Sequence, residues 1–326
     1  MVTNKKKVMA PNTMSRAGWN ILNARDDVEA VPYSPSMPTE DFHEQIRDIE
    51  GIALALTPFR AAELAVAPRI RVVARIGVGF DTVEVPALTA HRIPLMTAGT
   101  ANSPSVAEQA FSLMFALAKR NAQHDASVRS GTWRDQLDTL PVDLIGKTLL
   151  IVGFGRIGTR TAKRALAFEM HVLVYDPYVA AQTIKAAGCG PVTDLDAAIS
   201  KADFITVHCP KNAETTNLFD AARLARVKPS AYVVNTARGG IINEAALHAA
   251  LKDGKIAGAG IDVFDKEPAP LDHPLLQLPN VIVAPHMAGV TKESMDRMAM
   301  TTVNNILSVL DGQPMKENAV NPEVFA

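Results

Sequence analysis

The sequence predicts an α/β protein built from two doubly wound parallel-sheet domains. Three observations carry this expectation. Short apolar runs alternate with helical segments along the chain, 326 residues exceed one typical core, and a glycine-rich strand–turn–helix starts only at residue 148. The strand candidates are 51–56 (GIALAL), 71–75 (RVVAR), 148–152, 171–175, 204–208 (FITVH), 231–235 (AYVVN), 257–262 and 281–284 (VIVA). Helical segments lie between most of them, as parallel sheets wound by right-handed crossovers require. Asn102-Ser103-Pro104-Ser105 reads as a helix entry with Pro in the first turn, leading into an apolar helix over 106–119 that connects the domains. A second long helix, over 292–310, returns the chain to its first domain. The expected organisation is two Rossmann-like domains: a cofactor domain, 103–290, inserted into a split substrate domain, 1–102 plus 291–326.

Residues 148–176, TLLIVGFGRIGTRTAKRALAFEMHVLVYD, are the most informative stretch. An apolar run meets Gly153, Gly155 and Gly158 in the GxGxxG spacing, then a helix to about residue 168, then a second apolar run ending in Asp176. Gly153 allows the tight turn off the strand, and Gly155 lets the backbone approach a pyrophosphate. Gly158 lets the new helix pack close to the sheet, while its N–H groups and dipole favour the diphosphate. Asp176 lies where a carboxylate accepts hydrogen bonds from ribose hydroxyls and repels a 2′-phosphate, which predicts NAD rather than NADP. Glycines alone also mark ordinary turns; the strand, helix, second strand and acid in register make this a dinucleotide motif.

Composition fits a soluble enzyme. Lys plus Arg (33) nearly balance Asp plus Glu (34), which favours neither nucleic acid nor an anionic membrane. The basic cluster at 5–7 precedes no apolar stretch of a signal peptide, and no window approaches a membrane span. Cys189 and Cys209 have neither metal-ligand spacing nor a disulfide framework, so no metal is expected and the expected compartment is the cytoplasm.

Three polar residues outside the motif form a candidate reaction centre. Arg238 (in NTARGG), Glu267 (in IDVFDKEP) and His286 (in APHMAG) each follow an apolar strand, so all three belong to the carboxyl edge that also carries Gly153. Singly, each has a plainer reading: a surface ion pair, a solvated turn, a loop histidine. Together on one edge of a cofactor domain they suit interconversion of a keto acid and a hydroxy acid. The guanidinium fork orients a carboxylate or carbonyl, the imidazole exchanges the hydroxyl proton, and a carboxylate beside it stabilises the imidazolium. His208, ending FITVH on the same edge, either supports the site or caps backbone groups.

NTARGG, IDVFDKEP and APHMAG, in that order after GFGRIG, resemble the NAD-dependent D-isomer-specific 2-hydroxyacid dehydrogenase family, the D-3-phosphoglycerate dehydrogenase branch most of all. RIGVGFDTVE, NSPSVAEQAF and NAVNP extend the likeness over nearly the whole chain. The resemblance implies that Arg238, Glu267 and His286 are catalytic and that the N–H groups of Val78 and Gly79 grip the substrate carboxylate. It implies cofactor contacts from Arg156, Ile157, Asp176, Pro210, Thr215, Ala237, Asp262 and His286, and a homodimer joined through the cofactor domains and the helix near 104–120.

The chain also departs from that branch. Phosphoglycerate dehydrogenases resemble one another in an Arg-Ser pair after the strand matching GIALAL, where this chain reads Leu56-Thr57-Pro58-Phe59-Arg60. Phosphoglycerate is therefore the alternative substrate, not the first expectation, with Arg60 a displaced candidate for its phosphate. Formate dehydrogenases pair their His with Gln, so Glu267 argues against formate. Trp133 and Arg134, in GTWRDQ, either line a neighbouring subunit's cleft or pack an interface. A reading of a different class is an NAD-sensing binding module without turnover, against which the complete Arg, Glu and His set argues.

Overall fold

A computed structural model describes residues 5–134 and 139–326. Residues 1–4, which open the expected substrate domain, and Asp135 and Gln136 of GTWRDQ lie outside the described residues. The chain forms two compact units, one of residues 1–102 with 290–326 and the other of residues 103–289.

The first unit holds strands β1 (Lys6–Pro11), β2 (Val28–Tyr33), β3 (Gly51–Leu54), β4 (Val72–Arg75) and β5 (Leu95–Met96). They pair in parallel in the order β2-β1-β3-β4-β5. Every residue of β3 and β4 is buried, as expected of central strands covered on both faces. The two faces separate with period two. Val8, Ala10, Ala53, Val72 and Ala74 meet Ala299, Val303 and Ile306 of the helix Lys292–Leu310, whereas Met9, Ile52, Leu54 and Val73 meet Phe42, Ile46, Leu64 and Leu88. Sequence patterning missed β1, β2 and the two-residue β5. Lysines begin β1, and Pro32 sits inside β2. A proline within a strand is tolerated at a sheet edge, and β2 is that edge.

The second unit holds β6 (Thr148–Val152), β7 (His171–Tyr175), β8 (Gly190–Pro191), β9 (Phe204–Val207), β10 (Tyr232–Asn235), β11 (Gly258–Ile261) and β12 (Val281–Val283). All pair in parallel in the order β12-β11-β10-β9-β6-β7-β8. The chain runs outward from β6 through β8, then returns to β9 on the other side of β6. The crevice at the carboxyl ends of β6 and β9 is therefore a topological switch point, where open parallel sheets bind ligands. The helix Ser103–Ala118 packs on β10 and β11. The glycines of β11 permit this close approach: a Cβ on Gly260 would lie 2.9 Å from Leu113 Cβ.

Candidate active site

The glycines of the β6 turn have three different jobs. Gly153 has φ +97°, and a Cβ there would fall 2.6 Å from the Cys209 nitrogen, so the turn lies directly on the backbone leaving β9. A Cβ on Gly158 would fall 2.0 Å from the Gly153 carbonyl oxygen, so the helix Gly158–Ala167 starts in contact with the turn it follows. Gly155 is exposed, and a Cβ there would have no protein atom within 4 Å. Two glycines thus serve packing, while the third leaves open space at the N-terminus of a ten-residue helix. A diphosphate suits that space, because the helix end presents N–H donors and positive potential.

Asp176 follows β7 and shapes the same turn. Its Oδ2 accepts from Phe154 N–H at 2.7 Å and its Oδ1 from Tyr178 N–H at 2.9 Å. Arg156 is exposed and Ile157 half-buried in the first turn of the motif. Beyond β9, the hydroxyl of Thr215 donates to the Pro210 carbonyl at 2.6 Å and accepts from Asn212 N–H at 2.8 Å, which closes the 210–215 loop on itself.

Arg238 is carried on a braced turn after β10. The buried Asn235 side chain accepts from Ala237 N–H at 3.0 Å and donates from Nδ2 to the Arg238 carbonyl at 2.9 Å. Arg238 Nη1 donates to the Ala237 carbonyl at 2.8 Å. A Cβ on the following Gly239 would overlap the Phe264 carbonyl oxygen at 2.0 Å, so this turn rests on the loop after β11.

That loop brings Glu267 to His286. The imidazole Nδ1 faces Glu267 Oε2 at 2.7 Å, and Glu267 Oε1 accepts from Phe264 N–H at 3.0 Å. Both side chains remain partly open to solvent, at 44% and 36% exposure. His286 itself has φ +55°, a left-handed conformation that non-glycine residues seldom adopt. Asp262 holds it there. The Asp262 carbonyl accepts from His286 N–H at 2.7 Å, and its carboxylate accepts from Met287 and Ala288 N–H at 2.9 Å each. Asp262 is fully buried, and burial raises its pKa above the ordinary carboxylate value while the two backbone donors oppose that rise. Expected as a cofactor contact, Asp262 also braces the His286 turn.

Residues 111–288 match the family described as D-isomer specific 2-hydroxyacid dehydrogenase, NAD binding domain. The chain belongs to this family. It is 37% identical over 292 residues to a D-3-phosphoglycerate dehydrogenase of Archaeoglobus fulgidus, covering 89% of this chain and 55% of that protein. It is 38% identical over 285 residues to a glyoxylate reductase of Korarchaeum cryptofilum, covering 86% of this chain and 85% of that protein. Among solved structures, a D-lactate dehydrogenase from Aquifex aeolicus complexed with NAD and lactic acid aligns with a TM-score of 0.84 at 28% identity, covering 96% of this chain and 99% of that one. The chain spans about half the length of the D-3-phosphoglycerate dehydrogenases of Archaeoglobus fulgidus and Mycobacterium leprae.

As a D-2-hydroxyacid dehydrogenase relative, the chain carries an NAD-binding domain within its second unit. The open space beside Gly155, the helix end and Asp176 fit that cofactor. Among the described residues no helix is long and apolar enough to cross a membrane, and no cluster of His, Cys, Asp and Glu could hold a metal. The expected residues fall into two groups. Arg238, Glu267, His286 and the cofactor-side residues belong to the second unit, whereas Val78 and Gly79 are half-buried in the first, in the turn after β4. Arg60 is exposed at the start of the helix Ala61–Val66, and Trp133 is exposed with φ +54°.

His208 is a buried structural group. Its Nε2 lies 3.2 Å from Thr161 Oγ1 and 3.1 Å from Thr206 Oγ1, and among the described residues its Nδ1 has no hydrogen-bond partner. Burial pushes the imidazole down to about 3, so it is neutral. The side chain bonds threonines and does not cap backbone groups. Sequence reasoning passed over Asn235. A signal existed for it: a polar residue closing an apolar strand of a buried parallel sheet needs partners, and the adjoining turn supplies them.

Proposed function

We propose that the protein interconverts a D-2-hydroxy acid and its 2-keto acid with NAD. The observation that carries this reading is the His286–Glu267 pair, 2.7 Å apart on the sheet edge that also bears Arg238 and the glycine turn. The bound nicotinamide cofactor would supply the hydride acceptor for oxidation at C2 of the hydroxy acid and the hydride donor for the reverse reduction. In oxidation, His286 takes the hydroxyl proton at Nε2, because Nδ1 is engaged by Glu267. The Glu267 carboxylate then stabilises the imidazolium. Arg238 orients the substrate carboxylate or carbonyl through its fork, and the amides of Val78 and Gly79 seat the carboxylate. Gly155, Arg156, Ile157, Asp176, Pro210, Thr215 and Ala237 are the cofactor side of this reading. Asp262 contributes through the His286 turn it holds. The carboxylate of Asp176 favours NAD over a 2′-phosphorylated cofactor.

We read the protein as a cytoplasmic homodimer acting on a small acid. The two free thiols suit a reducing compartment. Sedimentation of the purified protein tests the dimer. The reaction is tested by NADH oxidation with glyoxylate, hydroxypyruvate, pyruvate, phenylpyruvate and 2-oxoglutarate, and by NAD reduction with 3-phosphoglycerate. Turnover that vanishes in His286→Ala is the expected result. Tight NADH binding with no turnover on the panel would favour the NAD-sensing reading.

A further inference from the structure

The turn after β4 is built around a buried cation. Arg75 ends that strand and is only 7% exposed, which a guanidinium tolerates only with partners. Its Nε donates to the Gly79 carbonyl at 2.9 Å and its Nη1 to the Leu54 carbonyl at 2.9 Å. One rigid, planar group therefore ties the turn to the end of the neighbouring strand β3. The rest of the turn is fixed around it. Ile76 N–H donates to the same Leu54 carbonyl at 2.9 Å, Ala98 N–H to the Gly77 carbonyl at 2.8 Å, and the Thr302 hydroxyl to the Arg75 carbonyl at 3.0 Å. Gly77 has φ +145°, a conformation that favours glycine.

Peptide geometry connects this anchor to binding. In a trans peptide the C=O and the following N–H point in opposite directions. The guanidinium holds the Gly79 carbonyl and so sets the plane of the 79–80 peptide. Ala98 N–H holds the Gly77 carbonyl and so sets the 77–78 peptide, which carries the Val78 N–H. The 78–79 peptide, which carries the Gly79 N–H, is fixed between these two anchored planes. Backbone donors bind an anion well only when their directions are fixed beforehand, because ordering a loose turn on binding consumes the gain.

We propose that Arg75 is a positioning residue for substrate carboxylate binding, acting through the Gly79 carbonyl without touching substrate. The inference rests on the reading of the Val78 and Gly79 amides as the carboxylate seat. A purely structural Arg75 would lower thermal stability and leave KM alone, whereas a positioning Arg75 acts on KM.

The test uses Arg75→Lys, which keeps the charge and loses the fork, and Arg75→Met, which keeps neither. For the best 2-keto acid of the wild type at saturating NADH, KM and kcat are measured, with the Ki of oxamate, the NADH affinity and Tm. We expect KM and Ki to rise about tenfold, as loss of a hydrogen bond to a charged group allows, with kcat changed less than about threefold and NADH affinity unmoved. Unaltered KM and Ki in folded Arg75→Lys overturn the proposal, as does a loss confined to kcat. If neither variant folds, amide hydrogen exchange of the wild type decides: oxamate with NADH should protect residues 76–80, and absence of protection there overturns the proposal. A wild type that reduces no 2-keto acid removes the functional reading and this role with it. Turnover with an unchanged variant KM removes only the role.

Discussion

Glu267 binds His286 with one carboxylate oxygen and the main chain with the other: Oε2 lies 2.7 Å from the imidazole Nδ1 while Oε1 accepts from Phe264 N–H at 3.0 Å. The carboxylate is fixed from behind and so fixes the ring in front. With Nδ1–H donated to Glu267, the Nε2 lone pair is left for a substrate proton. Glu267→Gln keeps the shape and removes the charge opposite the imidazolium. Its kcat should fall about 100-fold, with NADH affinity and Tm close to wild type. A kcat within about threefold of wild type would remove Glu267 from the proton transfer.

Asp262 stabilises a strained backbone. A non-glycine residue in the left-handed region costs on the order of 1 kcal/mol, and His286 sits there because three N–H groups, those of residues 286, 287 and 288, bond to Asp262. Asp262→Asn places an NH₂ donor against one of those N–H donors, and Asp262→Ala leaves two unpaired. Unfolding in urea should show a loss of about 2–4 kcal/mol for the alanine variant. Its kcat should fall further than any residual instability explains, because the imidazole loses its angle. Full stability in Asp262→Ala would mean the turn holds itself.

The cofactor unit was more legible in the sequence than the first unit, for physical reasons. β6 and β7 lie where the apolar runs placed them; β6 is buried from Leu149 to Val152, and strands buried on both faces read as unbroken apolar stretches. The helix Lys292–Leu310 was legible from its periodicity. β1 and β2 were hidden by lysines and an internal proline, features that edge position and sheet ends tolerate. In the candidate site, the residue types and their common edge could be read from strand ends. The bracing could not. Asn235 holding the Arg238 turn and Gly158 resting on Gly153 are local contacts that depend on the geometry of each turn. Asp262 turning inward to residues 286–288 and Gly153 lying on Cys209, by contrast, join segments distant in sequence.

Those glycines make a separable prediction. Gly153→Ala and Gly158→Ala put a Cβ against backbone atoms, at 2.6 Å and 2.0 Å, which cannot yield as a flexible side chain does. Both variants should lose stability by about 1–3 kcal/mol or more, seen as a lower Tm without any cofactor present. Gly155→Ala meets nothing in the protein. It should keep the wild-type Tm and lose NADH affinity by tenfold or more, on the order of 1.4 kcal/mol, in a fluorescence titration. Equal NADH affinity in Gly155→Ala would place the diphosphate elsewhere.

His208 predicts a pH dependence of stability that is separate from catalysis. Burial holds its folded pKa at about 3, below the 6.5 of the unfolded chain. As pH falls, the unfolded state takes up the proton first, so stability is full above about 6.5 and is lost as pH falls from there toward about 3. The slope is at most about 1.4 kcal/mol per pH unit for one proton. His208→Leu cannot take up that proton. The stability difference between wild type and His208→Leu should therefore change by about 2 kcal/mol between pH ~7 and ~5, with the wild type losing more. Guanidinium unfolding at the two pH values measures it. Parallel losses in both proteins would show that other groups carry the acid sensitivity, and that the imidazole is not held neutral between Thr161 and Thr206.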